Sequence, residues 1–94
     1  MLKIYIYMAS NLEKAQLMSS LARGKANLGE KYDRLEHFKR FQNLKEIIKE
    51  LSKINWLIIH KKGKFIGISL NPEYKKEIIE FIETNMPYLK GVIK

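Results

Sequence analysis

Cysteine is absent from the chain, which excludes disulfides, thiolate metal sites and a cysteine nucleophile. No apolar run approaches the ~18–20 residues that a membrane-spanning helix needs. The opening MLKIYIYMASN carries one Lys and is too short for the apolar segment and cleavage region of a signal peptide, so a soluble, cytoplasmic protein is expected. Gly-rich phosphate loops, nucleophile elbows and zinc signatures are all missing. The two histidines, His37 and His60, fall in different predicted elements with no recurring carboxylate spacing beside them. Asp33 and Glu36 next to His37 read as helix surface charges, so no catalytic residue, metal or cofactor is expected. There is also no internal repeat, linker or low-complexity tract. Acidic residues are missing from 51 to 72, and this gap in one sign of charge is the first positive clue.

The charge that remains is strongly one-sided. Ninety-four residues carry a net charge of +8 and a pI near 9.7, which directs attention to an anionic partner. Ribosome-associated, RNA-binding and membrane-surface roles fit the same charge. With 46% hydrophobic and 11% aromatic residues, the chain suits one folded domain with a modest core. Fifteen Lys against three Arg, with thirteen Ile, fit an AT-rich genome.

The stretch 43–70 shows the clearest pattern. Leu44, Ile47, Ile48, Leu51 and Ile54 recur at helical spacing and predict an amphipathic helix over 43–54. Asn43 is placed to cap it, with Glu46 as the return half of a capping box. The period then changes: 56–59 and 65–68 are β-rich runs flanking Lys61, Lys62, Gly63 and Lys64, a hairpin turn. From Lys39 to Lys64 there are eight basic residues and two acids. A helix with a basic outer face feeding a basic-tipped hairpin suits a DNA-reading surface.

Around this centre the chain reads as follows. Residues 1–8 alternate like a half-buried strand, with Leu2, Ile4, Ile6 and Met8 on one side, while Leu2, Tyr5 and Ile6 also share a helical face; both readings stand. Ser10-Asn11 gives a cap or turn, and a helix follows over 12–23 with Leu12, Ala15, Met18, Leu21 and Ala22 inward and Gly24 at its end. Residues 25–30 read as a loop, made basic by Arg23, Lys25 and Lys31 around it. A helix is predicted over 31–41, burying Leu35 and Phe38 with Tyr32 and Phe41 beside them. Neither Gly nor Pro separates it from 43–54; Gln42-Asn43 is the best break. After the hairpin, Asn71 caps and Pro72 and Glu73 begin a last helix to about Asn85, which Met86-Pro87 ends. Its four acids against two lysines set it apart from the basic middle.

The string LKEIIKELSKINWLIIHKKGKFIGISLNPEYKKEIIEFI resembles the second half of winged helix-turn-helix DNA-binding domains, in the manner of small archaeal and bacterial regulators such as the MarR, ArsR and PadR families. The shared elements are a recognition helix, the strand entered through Trp56-Leu57-Ile58, a basic glycine-bearing wing and a Ser-Leu-x-Pro step into the last helix. The match covers about 30–85. It departs at Asn55, which replaces the usual glycine before the first wing strand but also tolerates the left-handed conformation. It departs again in the N-terminal half, where the usual helix, strand, helix order is not evident. The resemblance implies an α+β fold: a helical N-terminal half, a two-stranded wing hairpin at about 56–70 and a C-terminal helix at about 72–85.

It also implies a binding mode. Helix 43–54 would lie in the major groove of double-stranded DNA, presenting Lys45, Glu46, Lys49, Ser52 and Lys53. Gln42 or Asn43 would make a bidentate adenine contact, and Lys45 or Lys49 would reach guanine or phosphate. Lys61, Lys62 and Lys64 on the wing would touch the flanking backbone or minor groove. Arg34, Lys39 and Arg40 are further phosphate contacts. Against this stand solvated lysines on the helix and lysines guarding a hairpin edge.

Trp56 is read as a core anchor at the helix–strand junction. In such families the last helix often pairs two copies, which makes Ile78, Ile79, Phe81 and Ile82 dimer-interface candidates, with Leu2, Ile4 and Ile6 as further contributors; packing into the chain's own core is the alternative. Three functions follow from the sequence: a transcription regulator, an architectural or plasmid- or virus-segregation protein that coats DNA, and a winged-helix module that docks an acidic protein.

Overall fold

A computed structural model describes residues 10–24 and 32–93. The expectations for 1–8, for the loop at 25–30 and for Lys25 and Lys31 lie outside the described residues. What is described is a small α+β fold with three α-helices and one three-stranded antiparallel sheet. Helix α1 spans Asn11–Arg23, strand β1 Asp33–Arg34, helix α2 Leu44–Lys53, strand β2 Leu57–Lys61, strand β3 Ile66–Leu70 and helix α3 Lys75–Asn85. The strand order is β1-β3-β2, so the last strand lies in the middle.

Helix α1 starts with a complete capping box. Ser10 Oγ accepts from the Glu13 N–H at 3.1 Å, and Glu13 Oε1 accepts from the Ser10 N–H at 2.9 Å, satisfying donors that helix geometry leaves open. Ala15, Met18, Leu21 and Ala22 are buried as their spacing requires, joined by Leu17. Leu12 is the exception, left 47% exposed at the first turn. The helix stops at Arg23, ahead of Gly24.

The helix expected over 31–41 is not there. Asp33 and Arg34 pair with Ile68 and Gly67 as a third strand, and Leu35–Phe38 form one 3₁₀ turn. The apolar residues that suggested a helix, Leu35 and Phe38, stand three apart, which serves a 3₁₀ turn as well as an α-helix. Pairing to the free side of β3 decides between them. Phe38 is buried, and Leu35 and Phe41 pack against the core, so the burial was read correctly and the backbone was not.

A turn at Gln42-Asn43 separates this segment from α2. Ile47 and Leu51 are fully buried on α2, with Leu44 and Ile48 packed beside them, while Ile54 lies past the helix end and stays 48% exposed. Asn55 takes the left-handed conformation, φ 64°, which asparagine tolerates better than most residues. Its carbonyl accepts from Asn71 Nδ2 at 2.8 Å, tying the two ends of the hairpin together.

The hairpin closes with Lys62 N–H donating to the Phe65 carbonyl at 2.9 Å, so Lys61 ends a strand and the turn is one residue later than expected. Leu57, Ile68 and Leu70 turn one sheet face into the core. Trp56 packs there edge-on to Phe81, ring centroids 5.5 Å apart, as the anchor reading expects. Asn71 Oδ1 accepts from the Glu73 N–H at 3.0 Å and Pro72 occupies the first turn. That turn is 3₁₀ before α3 proper begins at Lys75. Met86, Leu89 and Ile93 close the core from the C-terminal side. Among the described residues no helix is long and apolar enough to cross a membrane.

Candidate nucleic-acid interface

The exposed side of α2 is a lysine stripe. Lys45, Lys49 and Lys53 are exposed at i, i+4 and i+8, one above another, and the helix puts about 6 Å of axial rise between neighbours. The opposite side holds Ile47 and Leu51, so burial of those two residues fixes which way the lysines face. Glu46 stands half-buried beside the stripe.

The hairpin tip adds Lys61, Lys62 and Lys64, all exposed. Between it and the beginning of α2 runs a groove of about 660 Å³. Lys39, Leu44, Lys62, Gly63 and Lys64 line it, Leu35, Phe65 and Ile66 contribute apolar surface, and Glu36 places one carboxylate among them. Helix start and hairpin tip therefore share one surface. Among the described residues, three ion pairs form: Lys14–Glu50 at 2.5 Å, Arg34–Glu36 at 3.5 Å and His37–Asp33. None of them involves Lys39, Arg40, Lys45, Lys49, Lys53, Lys61, Lys62 or Lys64. Among the described residues these eight cations have no ion-pair partner.

The structure gives the other expected site residues different surroundings. Asn43 is half-buried, makes no cap hydrogen bond, and leaves the Asn43–Glu46 capping box unformed. Its Nδ2 instead donates to Glu13 Oε2 on α1 at 2.8 Å, so its amide is engaged by the fold. Ser52 turns its hydroxyl inward: Oγ is buried and has no hydrogen-bond partner among the described residues. Arg34 is exposed, but its guanidinium lies over the Phe65 ring at 4.3 Å and against Glu36. Gln42 remains exposed at the entering end of α2. Arg23 bonds its own helix, Nε donating to the Ser19 carbonyl at 3.3 Å.

The interface residues assigned to α3 divide in the same way. Ile78 and Ile82 are fully buried in this chain's own core, so a second copy has no access to them. Ile79 and Phe81 are half-buried, and Phe81 already meets Trp56. The solvent side of α3 is mixed in charge, with Lys75, Lys76, Glu77 and Glu80 exposed.

One cluster had no counterpart in the sequence reading. On the sheet face opposite the core, the Tyr32 ring stacks on His60 with centroids 4.8 Å apart, and Phe65 lies 6.0 Å away. Lys62 Nζ sits 5.2 Å above Tyr32, and His60 Nε2 meets Ser69 Oγ at 2.8 Å. The signal available was Gly67, a glycine inside a strand between two isoleucines, which marks a close approach. Tyr32 makes that approach: a Cβ on Gly67 would fall 2.4 Å from its ring.

No protein-family model, curated protein or solved structure matches the chain.

Proposed function

We propose that the chain binds double-stranded DNA in the manner of a winged helix, with α2 in the major groove, the β2–β3 hairpin as the wing and one 3₁₀ turn, Leu35–Phe38, where a helix-turn-helix has its first helix. The observation that carries this reading is a basic surface in two parts: the start of α2, at Leu44, shares one groove with Lys39 and the tip lysines Lys62 and Lys64, and Lys45, Lys49 and Lys53 stand exposed along the same helix, none of them in an ion pair among the described residues. A duplex supplies what such a surface lacks, a regular array of phosphates on either side of a groove wide enough for a helix. The element order supports the same reading. A helix, a short strand, a turn, a second helix and a hairpin follow one another, and the short strand joins the hairpin sheet in the order β1-β3-β2.

Transcription regulation is the role this layout commonly serves, and it is the first reading. A second reading, a protein that coats DNA with little sequence preference, gains from two observations. The amide of Asn43 is held by Glu13 and the Ser52 hydroxyl is buried, so the exposed groups left on α2 for base edges are mainly lysines. Lysine contacts to phosphate position a protein without reading sequence.

Fluorescence anisotropy with a random duplex at two salt concentrations tests the binding. Retention at low salt, with affinity falling as salt rises, is the expected result. No retention at low salt removes the DNA reading. Genome-wide sequencing of captured DNA separates the two roles: discrete enriched sites mark a regulator, even coverage a coating protein.

A further inference from the structure

The second face of the sheet carries rings and cations in alternation. Register places His60 opposite Gly67 and Arg34 beside it, and the Lys62–Phe65 closure continues that face to the hairpin tip. Tyr32 lies flat over Gly67, stacked on His60, with Phe65 next in line. Each ring is half-buried and keeps part of its surface open. The two long cations are exposed and rest on those rings, Arg34 on Phe65 at 4.3 Å and Lys62 over Tyr32 at 5.2 Å.

We propose that this face is a platform for single-stranded nucleic acid, with bases stacking on Phe65 and Tyr32 and the backbone held by Arg34 and Lys62. A single strand offers the two things the face is built to receive: flat π-surfaces and a phosphate at every step. Both cations sit at the ends of flexible side chains, so they can swing from ring to phosphate and uncover the ring faces as a strand arrives. An isolated cation–π contact is worth little at an exposed site, about 0.5–1 kcal/mol, and does not bar that exchange. Gly67 is the feature that sets the platform level. Any side chain there would lift the Tyr32 ring off the sheet and out of line with His60 and Phe65. The platform shares Phe65 and Lys62 with the rim of the groove, but its rings lie on the sheet and the proposal does not depend on the duplex reading.

The test uses the full chain and a labelled strand of about 12 nucleotides, within the span of known single-strand sites. Oligothymidylate and oligouridylate are run in parallel, and the stronger binder identifies DNA or RNA as the source. Phe65→Leu and Tyr32→Leu remove a ring but keep apolar bulk, and each is expected to weaken binding roughly tenfold, within the range of a lost base stack. Phe65→Tyr keeps the ring and is expected to bind as the parent does. Tyr32→Leu, which lies outside the groove lining, is expected to leave duplex affinity unchanged. The inference is overturned if neither strand binds, if Phe65→Leu and Tyr32→Leu bind as tightly as the parent, or if an abasic strand of equal length binds as well as oligothymidylate. Thermal melts check that the variants are folded. Should the leucine variants unfold, amide shift mapping on the parent decides: shifts at 32, 60 and 65 support the platform, and shifts confined to α2 overturn it.

Discussion

Asn43 and Glu13, thirty residues apart, meet side chain to side chain at 2.8 Å. Glu13 is thereby shared: one carboxylate oxygen closes the α1 capping box and the other fixes the entry to α2. Lys14, the next residue, reaches Glu50 further along the same helix. Two consecutive residues of α1 thus set where α2 lies, and α2 carries the lysine stripe.

This sharing leaves a mark on acid stability. The Ser10 backbone N–H first, and then the Asn43 amide, hold the Glu13 carboxyl below its ordinary value of 4.5. A carboxyl depressed in the folded state stabilises the protein above its unfolded value and loses that contribution as pH falls through the folded one. Stability is therefore expected to decline from about pH 4.5 downward. Glu13→Gln keeps the capping geometry but does not titrate. Urea titrations should show a smaller acid decline in that variant than in the parent. Equal declines would remove Glu13 as a source.

Ser52 makes the opposite prediction. Its hydroxyl is buried on a helix without a hydrogen-bond partner among the described residues, and alanine suits a helix better than serine. Ser52→Ala should stabilise the protein by roughly 0.5–1 kcal/mol, seen as a raised melting temperature. Because the hydroxyl faces inward, duplex affinity should not change. A tenfold loss of duplex affinity in a well-folded variant would return Ser52 to the contact surface.

Gly67 and Tyr32 should prove coupled. Gly67→Ala puts a methyl 2.4 Å from the Tyr32 ring, a clash expected to cost on the order of 1–3 kcal/mol. Tyr32→Ala removes the ring and with it the clash. The double variant should then be more stable than the sum of the single losses allows, by more than about 0.5 kcal/mol. Additive losses would mean that the ring moves aside freely.

How much of this was legible in the sequence depended on whether the deciding partner was local. The α2 period, the Asn71 side-chain cap ahead of Pro72 and the tolerance of Asn55 for positive φ are local properties, and the structure agrees with each, although the turn that Asn71 caps is 3₁₀ and α3 begins only at Lys75. Asn43 looked like a cap because Glu46 stands three residues on; a carboxylate thirty residues back took its amide instead. Asp33-Arg34 looked helical because nothing nearby says that β3 has a free side to pair with. Ser52 was assigned to the outer face from spacing alone, and only the packing around it turned the hydroxyl inward. Ile78 and Ile82 were open to two readings, and the core filled by α1, the sheet and α3 leaves them no exposed surface.

The division of labour between helix and wing gives the last prediction. Lys49 sits at the middle of the α2 stripe, and Lys62 at the hairpin tip. In the proposed complex Lys49 meets the major groove, where base edges differ, and Lys62 meets the backbone, which is the same everywhere. Lys49→Ala should therefore weaken binding most at a preferred site and narrow the gap between that site and random duplex. Lys62→Ala should weaken binding to both alike and flatten the dependence on salt by about one released counterion. Anisotropy titrations of both variants on both duplexes, across a salt series, provide the four slopes needed. If the two variants lose affinity equally on every sequence, α2 is another backbone contact and the coating role replaces the regulatory one. If Lys49→Ala leaves both duplexes bound as before, α2 does not enter the groove at all.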